Sequence, residues 1–155
     1  MNELIITKAV KEDLPTILDI QRKAFGEVAR IFHLKSMPQI KQTLESLTAE
    51  FNNCTILKAS IANTLVGSVR AHNKNDTCYI SGLIVLPEYQ NKGIGKALMS
   101  EIENQFKNIV NRYELFTGSR DPRNLYLYNK LGYKSFKTEK HNDQISFVYM
   151  EKSVQ

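Results

Sequence analysis

The sequence predicts a mixed α/β protein, because strand-like and helix-like stretches alternate along the chain. Runs rich in β-branched and aromatic residues, such as 55–61 and 79–86, are typical of strands. Apolar residues at helical spacing, as over 94–109, are typical of amphipathic helices. The predicted order is β, α, α, β, β, β, α, β, α, β, β. The sequence contains no repeat or linker, so we expect a single domain over residues 1–155.

The first half of the chain is predicted to hold four strands and two helices. We expect a strand over 4–10, a helix over 14–25 after the cap Asp13, and a second helix over 38–51. The stretch 25–37 between these helices is less regular. Three further strands, 55–61, 65–71 and 79–86, are joined by short polar turns and predict an antiparallel meander. Gly82 lies inside the third of them, which indicates a bulge or a close backbone approach.

The second half is predicted to begin with an amphipathic helix. Its apolar face carries Ile94, Leu98, Ile102, Phe106 and Ile109, and its polar face carries Lys96, Ser100, Glu103 and Lys107. A strand over 113–119 follows. A helix then begins at Pro122 and is closed by Gly132. Residues 133–137 and 145–149 predict a final hairpin.

Composition and charge exclude several classes of protein. The formal charge of +5 suits an anionic ligand, but basic residues are scattered, so we expect no nucleic-acid partner. No apolar run approaches a membrane span of roughly 20 residues. Residues 1–4 lack the order of a signal peptide, so we expect a cytoplasmic location. Cys54 and Cys78 are predicted to be buried free thiols, and the three histidines lack metal-ligand spacing, so we expect no metal.

A glycine-pinched turn between a buried strand and a helix predicts an anion site. The strand exits at Pro87, and Gly93 and Gly95 precede and open the helix. The first turn of a helix has unpaired backbone N–H groups and the positive end of the helix dipole. Glycine has no side chain to keep a phosphate away from those donors. Lys92 and Lys96 add positive charge beside them.

Two common phosphate motifs do not fit this turn. A dinucleotide turn requires a third glycine where the sequence has Leu98. A P-loop requires a glycine at the position of Gln90 and a hydroxyl residue at that of Ala97. The segment Gln90-Asn91-Lys92-Gly93-Ile94-Gly95 instead resembles the acyl-CoA pyrophosphate loop of the GNAT N-acetyltransferase superfamily. That loop is Gln or Arg, two residues, Gly, one residue, then Gly or Ala.

The resemblance extends to the order of elements over essentially the whole chain. It implies a mixed, mostly antiparallel sheet of about seven strands flanked by helices on both faces. It also implies that acyl-CoA lies where strands 79–86 and 113–119 splay apart. The resemblance assigns acyl-CoA binding to the strand backbone and to the loop, which comprise Leu83, Ile84, Val85, Gln90, Asn91, Lys92, Gly93, Ile94, Gly95 and Lys96.

A second signature covers 124–133, which is similar to the family's second CoA-contacting helix. The resemblance makes Tyr128 the general acid that returns a proton to the CoA thiolate, and Asn124 a further CoA contact. A phenol is protonated at neutral pH and can donate. Tyr128 as a simple packing tyrosine is the alternative. Tyr126 points to another face of the helix, where we expect it to pack.

The resemblance leaves the general base unassigned. This is the residue that takes a proton from the attacking amine. Many family members carry Glu or Asp on the strand before the loop, where this sequence has Ser81 and Gly82. Ser81, by holding a water, and His72, by acting directly, are the candidates. Glu27 and His33 could contact the acceptor, but we expect each of them to be a solvated side chain.

The resemblance therefore implies transfer of an acetyl group from acetyl-CoA, the co-substrate, to a primary amine by direct attack in a ternary complex. The identity of the amine stays open. The alternative is a non-catalytic acyl-CoA-binding or sensing module on the same fold. The late apolar hairpin could pair with another chain, so a homodimer also stays open.

Overall fold

The computed structural model of the chain describes residues 3–34 and 37–154. Its strands are β1 (Leu4–Lys8), β2 (Thr55–Ile61), β3 (Thr64–Lys74), β4 (Thr77–Val85), β5 (Arg112–Gly118), β6 (Lys134–Lys140) and β7 (Ser146–Ser153). Its α-helices are α1 (Leu14–Ile31), α2 (Pro38–Lys41), α3 (Leu44–Phe51), α4 (Ile94–Phe106) and α5 (Pro122–Lys130). Residues 1–2, where we expect no signal peptide, and residues 35–36 of the irregular stretch lie outside the described residues.

Within the described ranges, seven strands form one sheet in the order β1-β2-β3-β4-β5-β7-β6. All neighbours are antiparallel except β4 and β5, which are parallel. Parallel neighbours need a crossover connection, and α4 supplies it. The mixed, mostly antiparallel sheet of about seven strands that the family resemblance implies is confirmed.

Helices cover both faces of the sheet. On one face, α4 buries an apolar stripe of Ile94, Leu98, Met99, Ile102 and Phe106. On the other face, α1 and α3 pack against Ile56 and Ile84 of the sheet. Full burial of such a side chain contributes about 1.5–3 kcal/mol, so these two layers hold the sheet between them.

The helices of the N-terminal half differ from the prediction in length. Helix α1 continues to Ile31 because Ala24 and Val28 extend its buried face beyond residue 25. The helix predicted over 38–51 is two helices, since Gln42 takes an extended backbone with ψ 138°. Thr43 then caps α3 by accepting a hydrogen bond of 3.1 Å from the Ser46 backbone N–H.

Helix α4 ends earlier than its apolar pattern predicts. It stops at Phe106, and Ile109 lies beyond it with 58% of its surface exposed, so the placement of Ile109 on the buried face is wrong. Glu103, expected on the solvated face, is instead half-buried. Its carboxylate accepts hydrogen bonds from Tyr133 Oη at 2.7 Å and Lys152 Nζ at 2.9 Å.

Both cysteines are free thiols, as predicted. Cys78 is buried in the core, and burial, aided by the charge of Glu103, raises the pKa of its thiol to about 12. Cys54 is half-buried. In the part of the chain that the structure describes, no helix combines the length and apolarity needed to cross a membrane.

Candidate active site

The glycine-pinched loop follows β4 through a single 3-10 turn, Pro87–Tyr89. The backbone then reverses through two left-handed residues, Asn91 at φ +62° and Gly93 at φ +83°. Asparagine and glycine are the residues that adopt this conformation most readily. The turn therefore delivers the chain directly into α4, whose first residue is Ile94.

The N-terminus of α4 is open to a ligand. Gly93 is its N-cap residue and has no side chain with which to cap the first N–H groups. A β-carbon added at Gly93 would have no atom within 4 Å, so the space in front of it is free. A β-carbon at Gly95 would contact Leu127 of α5 at 3.5 Å, which brings the two helices close together here.

Strand β4 bends at a bulge just before the loop. The register with β3 shifts between Ser68 and Arg70, and Gly82 opposite the shift has φ +63°. A left-handed glycine at this position is the usual form of such a bulge. The bulge that the sequence predicts at Gly82 is thus confirmed.

Strands β4 and β5 pair at one end and then separate. The parallel pairs run from Thr77–Arg112 to Tyr79–Glu114, and β5 then continues beside β7. After Tyr79 the described residues of β4 have no partner in β5, so the edge of β4 along Leu83, Ile84 and Val85 is open on that side. This is the splay predicted between the two strands.

A narrow cleft of about 470 Å³ opens along this separated edge. It is enclosed by α1, β4, the loop and α5, through Ala24, Phe25, Val28, Leu83, Ile84, Val85, Tyr89, Gln90, Asn91, Gly93, Ile94, Gly95, Lys96, Asp121, Arg123, Asn124, Tyr126, Leu127 and Lys130. Of the predicted cofactor-binding residues, the structure brings all but Lys92 and Tyr128 to this cleft. Lys92 is exposed within the same loop.

Arg123 spans the narrow cleft from α5. Its Nη1 donates to Gln90 Oε1 and lies 3.5 Å from Glu27 Oε1 on α1. Gln90 is itself oriented by a 3.3 Å hydrogen bond from its Nε2 to the Val85 carbonyl. The motif glutamine thus links the strand edge, the loop and α5 through a single side chain.

A wide cavity of about 950 Å³ adjoins the narrow cleft. Phe25, Val28, Leu83, Asp121 and Asn124 line both spaces, so the two lie next to each other along these residues. The rest of its wall comes from α2, α3, the bulge and the β7 end, through Leu34, Met37, Pro38, Gln39, Lys41, Gln42, Thr43, Ser46, Glu50, Arg70, Ile80, Ser81, Gly82, Phe116, Thr117, Gly118, Ser119, Arg120, Tyr128, His141, Gln144, Ile145, Ser146 and Phe147.

Tyr128 lines the wide cavity from α5 and is 5% exposed. Its ring packs edge-on against Tyr133 with centroids 6.0 Å apart. Burial, and secondarily the negative charge of Asp121, raises the pKa of the Tyr128 hydroxyl above its ordinary value of 10.0. The phenol is therefore protonated at neutral pH and above.

Asp121 fixes the start of α5. Its Oδ1 accepts a 3.3 Å hydrogen bond from the Asn124 backbone N–H, and Pro122 follows it at the first helical position. Asn124 lies one turn before Tyr128, so the cap also sets where both side chains meet the cavity. Asp121 was not among the predicted site residues, although Asp before Pro at a helix start is a recognisable signal.

A buried polar cluster forms the floor of the wide cavity beside the bulge. Arg70 of β3 is 7% exposed, and its Nη2 donates to Gln21 Oε1 and to Gln42 Oε1, both at 3.1 Å. Its Nε lies 3.5 Å from Glu50 Oε1. Burial lowers the pKa of Arg70, and the negative charge of Glu50 opposes that change.

The sequence reasoning missed this cluster. An arginine inside the apolar run 65–71 was the available signal, because a charged side chain in a buried strand needs partners. Arg123 was missed as well, although it directly precedes the predicted contact Asn124. Glu50 has no local feature that marks it, since it is one of two acidic residues on α3.

Some of the remaining predicted residues line the two spaces, and others lie away from them. Ser81 lines the wide cavity next to Gly82. His72 is exposed and stacks on Tyr79 at 5.4 Å, and it lines neither space. His33 is exposed, and Glu27 is held by Arg123. Tyr126, expected to pack, is 66% exposed at the narrow cleft, with Lys130 Nζ 5.3 Å from its ring, so that expectation is wrong.

Comparison with known families accounts for this geometry. Residues 25–154 match the family described as Acetyltransferase (GNAT) domain. The chain belongs to the GNAT acetyltransferase family. The match includes the loop, the splayed strands and α5, so the GNAT membership proposed from Gln90–Gly95 and 124–133 is confirmed.

Solved structures share the GNAT fold with this chain. The ribosomal-protein-S18-alanine N-acetyltransferase from Escherichia coli is 14% identical, with a TM-score of 0.81 over 99% of this chain and 95% of that one. The paia N-acetyltransferase from Thermoplasma acidophilum, in complex with coenzyme A, is 24% identical, with a TM-score of 0.79 over 97% and 99%. The yncA protein from Salmonella typhimurium, with its cofactor acetyl-CoA, is 16% identical, with a TM-score of 0.76 over 99% and 95%. Comparison with curated proteins gives no match.

Proposed function

We propose that this GNAT protein transfers an acetyl group from acetyl-CoA to a primary amine by direct attack in a ternary complex. The observation that carries the proposal is that the two spaces share one wall. The narrow cleft ends at an uncapped helix N-terminus, and Leu83, Asp121 and Asn124 line both this cleft and the wide cavity, which also contains Tyr128. Donor and acceptor can therefore meet without a covalent acyl-enzyme.

The narrow cleft suits the donor. Its loop offers backbone N–H groups and the charge of Lys96 to a pyrophosphate, and the open β4 edge at Leu83, Ile84 and Val85 offers N–H and C=O groups to amides. Bound acetyl-CoA would supply an activated thioester. The CoA and acetyl-CoA complexes of similarly folded proteins support this assignment.

Tyr128 is proposed as the general acid and Asn124 as a donor-positioning residue. The raised pKa of Tyr128 keeps its hydroxyl protonated at neutral pH, so the proton is available when negative charge develops on the departing sulfur. Asn124 lines both spaces at the start of the same helix. We expect Tyr128 to protonate the departing sulfur and Asn124 to align the donor.

The charges around the wide cavity favour one class of acceptor. Its described wall includes the cations Lys41, Arg70 and Arg120 but only two carboxylates, Glu50 and Asp121. A polyamine or aminoglycoside would bring several positive charges to this surface and be repelled. Aromatic and aliphatic side chains make up much of the rest. We therefore propose an acceptor with one amino group on a largely apolar body.

Two measurements test this function. Calorimetry should show acetyl-CoA binding, and a free-thiol assay over a panel of amines should show release of CoA, fastest with apolar monoamines. Thiol release that is faster with spermidine than with benzylamine contradicts the acceptor class. Acetyl-CoA binding without thiol release from any amine favours the acyl-CoA-binding module. Absence of binding at millimolar acetyl-CoA contradicts both.

A further inference from the structure

Strand β4 has no carboxylate before the loop, but a carboxylate from α3 lies on the wall of the wide cavity. Ser81 and Gly82 occupy the strand positions before the loop, and neither can accept a proton as a carboxylate does. Of the two carboxylates on the described wall of the wide cavity, Asp121 caps α5 and is buried, with 8% of its surface exposed. Glu50 is the other, and it approaches from α3.

Arg70 connects Glu50 to the bulge. A β-carbon at Gly82 would lie 2.6 Å from Arg70 Nε, and the same Nε lies 3.5 Å from Glu50 Oε1. The guanidinium thus occupies the space in front of Gly82 that a strand side chain would need. The acidic group next to the guanidinium is therefore Glu50, which lies on α3 and not on the strand.

Glu50 is held in place by its partners but keeps acceptor sites for further hydrogen bonds. Gln42 Nε2 donates to Glu50 Oε2, and Gln42 is fixed in turn by Gln21 Nε2 at 2.8 Å. A carboxylate has about four acceptor sites on its two oxygens, so further hydrogen bonds are open to it. The side chain is 37% exposed and faces the cavity.

We propose that Glu50 is the acceptor-side catalytic carboxylate: it holds the amino group of the acceptor in the wide cavity and accepts a proton from it. The proposal rests on the function proposed above. The apolar wall of Phe25, Val28, Phe116 and Phe147 receives the body of the amine, while the single available carboxylate on that side receives its charge.

The protons balance as follows. An ammonium group loses two protons on its way to an amide, one to expose its lone pair and one as the C–N bond forms. The C–S bond breaks, and Tyr128 gives its proton to the sulfur. Of the two protons that leave nitrogen through Glu50, one restores Tyr128 and the other passes to solvent, so the enzyme returns to its starting state.

The test compares Glu50→Gln and Glu50→Asp with Glu45→Gln, an exposed carboxylate at the start of the same helix. Benzylamine is the probe, because it carries one amino group on an aromatic body. Its affinity for the CoA-loaded protein is measured by NMR titration, and kcat/KM is measured by thiol release. Calorimetry with acetyl-CoA and the thermal midpoint serve as controls for the donor site and for folding.

We expect Glu50→Gln to bind benzylamine about tenfold more weakly and to lower kcat/KM about 100-fold, with acetyl-CoA affinity unchanged. Glu50→Asp should recover part of both losses, and Glu45→Gln should match the wild type. Equal benzylamine affinity in the wild type and Glu50→Gln, or no benzylamine binding at all, overturns the proposal. The NMR titration needs no turnover, so it tests the role of Glu50 in amine binding even if no amine gives thiol release. Absence of thiol release with every amine would contradict the proposed function instead.

Discussion

Arg70 Nε lies 2.6 Å from the position that a β-carbon of Gly82 would take. The two residues face each other across neighbouring strands at the bulge, and the arginine fills the volume that the glycine leaves empty. This pair explains how a charged side chain can be buried at the centre of the sheet. It also explains why the strand bends where the two cavities meet.

The first prediction concerns stability at this pair. Gly82→Ala should lower the free energy of unfolding by about 2 kcal/mol, because alanine is strained at φ +63° and its β-carbon would overlap Arg70. Urea denaturation measures the change. Gly26→Ala is the matched control: its β-carbon would meet nothing within 4 Å on α1, so it should stabilise the protein by about 0.5–1 kcal/mol. Equal midpoints for Gly82→Ala and the wild type would contradict the packing described.

The second prediction concerns the loop. Gly95→Glu should weaken acetyl-CoA binding at least about 100-fold, because it sets bulk and negative charge at the helix N-terminus where a phosphate would bind. Calorimetry gives the affinity, and circular dichroism should show an unchanged fold. Ser100→Glu makes the same charge change at an exposed position farther along α4 and should leave the affinity unaltered. Normal affinity in Gly95→Glu would remove the loop from the donor site.

The third prediction concerns the general acid. Tyr128→Phe should lower kcat about 100-fold while leaving acetyl-CoA affinity nearly unchanged, because the ring keeps its packing and only the donor hydroxyl is lost. Steady-state thiol release and calorimetry separate the two effects. The control Tyr79→Phe on β4, whose ring stacks on His72 and lines neither space, should behave as the wild type. A Tyr128→Phe enzyme with full kcat would show that Tyr128 only packs.

The fourth prediction concerns pH. A general acid works in its protonated form, so activity is lost as pH rises through its pKa. Burial and Asp121 raise the pKa of Tyr128 above 10.0, which moves that loss upward. The kcat with saturating amine should therefore hold between about pH 8 and pH 10. A decline centred below pH 10 in the wild type, and absent from Tyr128→Phe, would contradict the upward shift of the Tyr128 pKa.

The parts of the site that could be predicted are those whose physical requirements are local. Gly93 and Gly95 are needed where the chain turns into a helix, and Gly82 is needed where a strand bulges, so each is visible in a few residues. The length of α1 was underestimated because Val28 lies within the stretch 25–37, whose sequence pattern is less regular. Ile109 follows the helical spacing, but the helix has already ended.

The acceptor side depends on contacts between distant positions. Arg70 reaches Gln21, which is 49 positions away, and Gln42, which is 28 positions away. Which of these polar residues meet is decided by how α1, α2 and α3 pack on the sheet. A sequence shows that Arg70 needs partners, but it does not show that Glu50 is among them.

The short pairing between β4 and β5 has a mechanical consequence. Among the described residues, these strands pair only along Thr77–Tyr79 and Arg112–Glu114, so the sheet consists of two halves joined by this short pairing. A ligand that hydrogen-bonds along the open edge of β4 would extend the junction as an additional strand does. Donor binding would then stiffen the whole molecule, and slower amide exchange in β4 would report occupancy of the cleft before any chemistry takes place.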